Sequence, residues 1–292
     1  MLALPHGAAR VSADAPDRRS TTGRTPPYLP FMQGAPDFAP NLNPISKQRW
    51  LSPDTEAPLW LSDKCELMRR MPDLVRGGDL DGAAAQELLD MVQAVSSVPL
   101  ENGWDSALEQ AASLVSDDLC LLEAKRTGDW RLVAGVLCAP TYWTLPERIG
   151  LDLGGLHGPV PGGDPQLAGR IGRVFTGLRP GVVLERFNWT VQASGERHTP
   201  TRPKAAGQSV QDLHLRVERQ TIRKLPETGA VVFTIRICMD PLLPILRDGA
   251  TREAFEDAWL GAAKRVSAYK AWGELEELVA EACRICQTGA AR

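Results

Sequence analysis

His157 lies in the run Leu156-His-Gly-Pro-Val-Pro-Gly-Gly163, where a Gly-Gly pair and two prolines that pre-set their own φ make a rigid loop. A loop of that kind can hold an imidazole at one orientation. Neutral imidazole is a strong ligand for haem iron and for zinc, and its second nitrogen needs a carbonyl or carboxylate partner. A loop histidine that merely caps a turn is the commoner occurrence, and no second His or Cys lies near enough in sequence to suggest a zinc cluster. His214 is the next candidate, whereas His6 falls in an N-terminal tail and His198 in a polar loop.

The second set of chemically capable residues lies on strands. Within 213–224, Leu213, Leu215 and Val217 fall on one face by period-two alternation, and His214, Arg216, Glu218 and Gln220 fall on the other. Arg216 and Glu218, with Arg236 as a third member, would ordinarily form a cross-strand ion-pair ladder on a solvated surface. Turned inward, the guanidinium groups would instead grip carboxylates or propionates while Glu218 faces a cationic group, because buried charges need such partners. Arg219 and Arg223 alternate to the opposite face. In Leu184-Glu-Arg-Phe-Asn-Trp-Thr-Val191, Glu185, Phe187 and Trp189 share one face, and Arg186, Asn188 and Thr190 share the other. Trp189 could flank a flat cofactor, although a sheet tryptophan is more often core.

The elements that must carry these residues follow from periodicity. Helical patterns run from Leu59 to Met71, from Leu80 to Ser97 after an Arg76-Gly-Gly-Asp break, and from Ser106 to Val115. Strand-like runs follow at Asp118–Ala124 and Trp130–Cys138, joined by a polar Gly-containing loop. A Pro- and Gly-dense crossover, 139–180, with one helix from Gln166 to Thr176, leads to three further strands at 182–192, 213–224 and 230–238. The last two form a hairpin whose turn is Pro226-Glu-Thr-Gly229. Residues 240–288 read as helical with a break at Trp272-Gly273. The expectation is therefore an α+β fold: a five-stranded antiparallel sheet of PAS-like strand count and order, flanked by N- and C-terminal helices. Residues 1–27 have no apolar periodicity and read as a disordered tail, which leaves a single domain over 28–288.

Composition bounds the function. A chain of 292 residues that is 43% hydrophobic can build a substantial core. Its net charge of −3, with both signs interspersed, gives no electrostatic reason to expect nucleic acid. No stretch approaches the apolar length of a membrane helix, and no secretory signal is evident, so the expectation is a cytoplasmic protein. Of six cysteines only Cys283-Arg-Ile-Cys286 has a suggestive spacing, and within a helical run a core or surface pair is the better reading than a metal or redox pair.

Several motifs in order carry a resemblance: Trp50-Leu-Ser-Pro-Asp54, Cys138-Ala-Pro-Thr-Tyr-Trp143, Ile149-Gly-Leu-Asp-Leu-Gly-Gly-Leu-His-Gly-Pro-Val-Pro161, Arg186-Phe-Asn-Trp189, Leu215-Arg-Val-Glu-Arg-Gln220, Leu225-Pro-Glu-Thr-Gly229 and Ser267-Ala-Tyr-Lys270. Over about residues 28–285 the chain resembles the haem-binding, alpha-like subunit of haem-dependent oxidative N-demethylases, a family with a PAS-like core. The resemblance implies haem b on the sheet and oxidative removal of a methyl group from a small secondary amine. It also implies O₂ as oxidant and electrons from a separate flavin/iron–sulfur reductase subunit. It further implies His157 as axial ligand of the iron, Arg216, Trp189, Asn188 and His214 around the cofactor, and Glu218 as the catalytic carboxylate. Two departures touch the pocket: Gly162-Gly163 stands where an aromatic is expected, and His214 where an apolar or aromatic residue is expected. The chain has neither a dinucleotide fingerprint nor an iron–sulfur cysteine set, so reduction must come from outside. The alternative from another class is a non-catalytic haem-binding PAS-like sensor or partner-docking protein.

Overall fold

The computed structural model describes residues 25–158 and 165–289. The segment 1–24 and the Pro159–Asp164 part of the His157 run lie outside the described residues, and with them the reading of the first of these as a tail. The strands are β1 (Asn43–Ile45), β2 (Arg76–Gly78), β3 (Asp118–Ala124), β4 (Trp130–Val136), β5 (Val183–Gln192), β6 (His214–Lys224) and β7 (Val231–Pro241). The helices are α1 (Ala57–Arg70), α2 (Pro72–Val75), α3 (Ala83–Gln93), α4 (Ala107–Ser113), α5 (Leu153–His157), α6 (Pro165–Gly177), α7 (Leu242–Leu246), α8 (Gly249–Leu260), α9 (Lys264–Tyr269) and α10 (Glu276–Gly289).

The fold is α+β, but its sheet has seven strands in the order β1-β5-β6-β7-β3-β4-β2, every neighbouring pair antiparallel. That corrects the expected five. The five long strands are the expected ones to within a few residues, and they sit contiguously at the centre of the sheet. The two additions are three-residue edge strands, too short to show alternation. One of them, β2, is built from the Arg76-Gly-Gly sequence that reads as a break. Gly78 has φ +86, and a Cβ there would lie 2.0 Å from the Val133 carbonyl oxygen, so only glycine lets this edge pair with β4.

The β6–β7 hairpin is closed by Leu225 N–H donating to the Ala230 carbonyl at 2.8 Å, with Gly229 at φ +74. Its register pairs Glu218 with Ile237, Gln220 with Ile235 and Arg219 with Arg236. Partners across a ladder share a face. Arg236 therefore lies on the face opposite Glu218, and the expected Arg216–Glu218–Arg236 ladder does not exist. Arg236 is neutralised by Asp117 and by Asp54 (3.1 Å), while its neighbour Arg219 donates to Glu185 at 2.7 Å. On this buried face the charges pair with one another within a layer flanked by two apolar cores. One core packs α1, α3 and α4 against β3, β4 and β7. The other packs α7, α8 and α10 against the Trp189 end of β5 and β6.

Candidate active site

The other face of the sheet is a wall of a cavity of about 450 Å³, within the range of small-molecule and cofactor sites. Alternation along β5 and β6 delivers Arg186, Asn188 and Thr190, then Glu218, Gln220 and Ile222, to this wall. From β3, β4 and β7 come apolar side chains such as Leu122, Leu132 and Phe233. The crossover between β4 and β5 closes it, through Thr141 and Tyr142 after β4 and through Leu153, Leu156 and His157 of α5, with Leu167, Ile171 and Phe175 of α6 behind. The arm at 37–42 and the α9 end, Tyr269 and Lys270, complete the polar side.

His157 is the last residue of the helical turn α5. Asp152 caps α5 by accepting from Gly155 N–H at 2.8 Å, and the turn brings the Leu153 carbonyl to 2.8 Å from His157 Nδ1. A carbonyl can only accept, so Nδ1 carries the proton and Nε2 keeps its lone pair. Burial pushes the imidazole below its ordinary value; the Leu153 hydrogen bond works the other way, and the positive charge of Arg186 adds to the lowering. His157 is accordingly neutral at pH 7, the state a metal ligand requires.

Glu218 is held by three donors: the Thr141 hydroxyl, Asn188 Nδ2 at 3.3 Å and Gln220 Nε2 at 2.7 Å. Burial by itself would raise its pKa, but the Thr141 and Asn188 hydrogen bonds and the charges of Arg216 and Lys270 outweigh it and hold the group below the usual carboxylate value. Asn188 is oriented in turn by Lys270, whose Nζ donates to Asn188 Oδ1 at 2.8 Å and to the Trp189 carbonyl at 2.9 Å. Burial pushes the Lys270 ammonium down to about 8, against the pull of Glu218.

Lys270 has a consequence for stability. Below pH 8 both folded and unfolded chains carry the proton, and the cost of burying the charge is fully felt. Between about 8 and the ordinary 10.5 the unfolded chain binds a proton that the folded one has released, so this group makes stability rise with pH across that window. Thermal melts of wild type and Lys270→Met between pH 7.5 and 10.5 should differ in slope, the variant lacking that rise. Parallel slopes would refute the assignment.

Not every expected residue reaches the cavity. His157, Asn188 and Glu218 line it; Arg216, Trp189 and His214 do not. Arg216 is wholly buried and binds protein: its guanidinium donates to the carbonyls of Ala139 (2.9 Å), Pro140 (3.0 Å) and Arg197 (3.2 Å), and its Nε to Thr141 Oγ1 at 3.0 Å. It thus steadies the hydroxyl that donates to Glu218. Tyr142 next to it adopts a left-handed φ of 65°, its N–H bonded to the Thr199 carbonyl at 2.9 Å and its ring covered by Arg202 at 4.2 Å. Trp189 belongs to the opposite face, 5.2 Å from the Trp272 ring and 5.9 Å from Phe31. His214 Nδ1 contacts the Asp212 carbonyl at 2.9 Å beside Gly195, away from the cavity.

The cation that does face the cavity from the sheet is Arg186, missed as a site residue although it shares its face with Asn188. Its Nε is buried with no hydrogen-bond partner among the described residues, and burial lowers its pKa. A family model described as haem-dependent oxidative N-demethylase, alpha subunit-like, matches residues 62–280. The chain belongs to that family.

The residues present fit the haem on which the demethylase family depends. An apolar wall suits the macrocycle, the neutral His157 offers Nε2 to a metal, and Arg186, whose Nε has no partner among the described residues, suits a carboxylate edge. Arg216 offers no such donor, because its guanidinium is already hydrogen-bonded to the Ala139, Pro140 and Arg197 carbonyls. Among the described residues no cluster of His, Cys, Asp and Glu could hold a free metal ion, and no helix is long and apolar enough to cross a membrane. Cys283 and Cys286 lie on α10 in the C-terminal core, Cys286 Sγ pointing at the Leu243 carbonyl at 3.5 Å.

Proposed function

We propose that this protein is the haem-binding subunit of an enzyme that oxidatively removes a methyl group from a small secondary amine. O₂ is the oxidant, and electrons come from a partner flavin/iron–sulfur reductase subunit in the cytoplasm. The cofactor is haem b in one PAS-like domain over 28–288. The five long strands, in the order β4-β3-β7-β6-β5, support the PAS-like reading. Non-covalent haem is favoured because Cys283-Arg-Ile-Cys286 is followed by Gln287, where covalent attachment would require histidine.

The observation that carries this reading is the pairing, in one cavity, of a neutral histidine with an ionised, buried carboxylate. Bound haem supplies the centre at which O₂ is reduced. His157 would ligate the iron and Arg186 the propionates. Glu218, preorganised by Thr141, Asn188 and Gln220, has acceptor capacity left for the N–H of an amine, and the apolar wall excludes water around the methyl group. In the balanced reaction the methyl carbon leaves as formaldehyde. Two electrons from the amine and two from the reductase take O₂ to water and the aldehyde oxygen.

The test is to load the purified protein with haem, supply a reductase and dimethylamine, and measure formaldehyde with O₂ uptake. Haem binding without either product would favour the sensor reading over the enzyme. Glu218→Gln should retain haem and its Soret band while kcat/KM for the amine falls by about tenfold or more, the loss of one charge-assisted hydrogen bond. Unchanged turnover and melting temperature would reduce Glu218 to ordinary wall.

A further inference from the structure

The cavity holds a second charged group that a simple amine leaves unused. Lys270 is buried, lines the cavity and spends two of its ammonium N–H donors on Asn188 Oδ1 and the Trp189 carbonyl. The third donor has no partner among the described residues. Asn188 uses the other end of the same amide to reach Glu218. Lys270 and Glu218 form no direct ion pair among the described residues; one amide plus hydrogen bonds of 2.8 and 3.3 Å separates them. The wall therefore presents a fixed cation and a fixed anion side by side, each with hydrogen-bonding capacity left over.

A dialkylammonium ion uses only the Glu218 half of this pair and brings its charge toward Lys270, to which Arg186 and Arg202 add further positive charge. A molecule with an ammonium and a carboxylate one carbon apart fits it at both ends. We propose that the substrate is a zwitterionic N-methyl α-amino acid, its carboxylate bound by Lys270 and its methylammonium by Glu218, with Asn188 setting the spacing. This rests on the demethylase reading and specifies its substrate class. Lys270 remains a cation at pH 7, as the carboxylate requires, with its ammonium held down to about 8.

The haem-loaded protein decides the question through the shift of its Soret band on titration with N-methylglycine, N-methylglycinamide and dimethylamine. The amide keeps the shape of the acid and removes its charge. N-methylglycine should bind about ten- to a hundredfold more tightly than the other two, the range expected for one hydrogen bond between charged groups. Lys270→Met should erase that preference, bringing N-methylglycine down to the affinity of its amide. Equal or tighter binding of dimethylamine to the wild type would overturn the proposal while the demethylase reading stood. Failure of all three compounds to bind a haem-loaded protein would overturn both. The wild-type comparison needs no variant, so poor folding of Lys270→Met leaves the result decisive.

Discussion

His157→Ala is expected to abolish the Soret band of the haem-loaded protein, or to shift it to that of a site in which another group would hold the iron. The expectation follows from the local geometry. The Leu153 carbonyl fixes the proton on Nδ1, and burial keeps the ring neutral, so Nε2 offers its lone pair to a metal at pH 7. The sign of its pH response is also set. The folded value lies below the ordinary 6.5, so as pH falls from about 6.5 the unfolded chain takes up a proton that the folded chain refuses, and the protein loses stability in that interval. Haem retention should accordingly persist somewhat below the pH at which an exposed histidine would protonate. An alanine variant with an unaltered spectrum would exclude His157 as a ligand of the iron. His214 would be a poor replacement, because it sits outside the cavity.

Arg216→Met is expected to be the most destabilising change near the site, on the order of 3–5 kcal/mol, because it strips a buried charge from acceptors that cannot find water. The carbonyls of Ala139, Pro140 and Arg197 would all be left short of a donor. A loss of that size lowers Tm by roughly 10 °C in a chain of this length. Haem content and turnover should fall as well, through displacement of Thr141 and weaker support for Glu218, and Arg216→Lys should rescue little because an ammonium cannot reproduce the planar fork. If instead the Met variant melted like the wild type but bound haem poorly, Arg216 would be a cofactor ligand and its place behind the wall would be wrong.

The contrast between Arg216 and Arg186 shows where a one-dimensional reading ends. Alternation correctly put Arg216 on the same side of β6 as Glu218, and Arg186 on the same side of β5 as Asn188. Parity says nothing about how far along a strand the cavity extends. Arg216 lies where the loops at 139–140 and 196–197 come down on the sheet, so its guanidinium is consumed by their carbonyls. Arg186 lies where they do not, and its Nε has no hydrogen-bond partner among the described residues. Trp189, one residue from Asn188, is turned by the same parity into the C-terminal core.

By itself, the order of residues determined the long strands, the hairpin closed at Gly229, the alternation that segregates charge from core, and the family to which the chain belongs. These depend on local periodicity, turn chemistry and ordered motifs, all of which are properties of neighbouring residues. Only the tertiary structure decided that two three-residue edges extend the sheet, that Arg236 pairs with Asp117 and Asp54 on the far face, and that Lys270 reaches Asn188 from 82 residues away. Each of these joins distant segments, and a buried charge takes whichever partner the packing brings within hydrogen-bond distance.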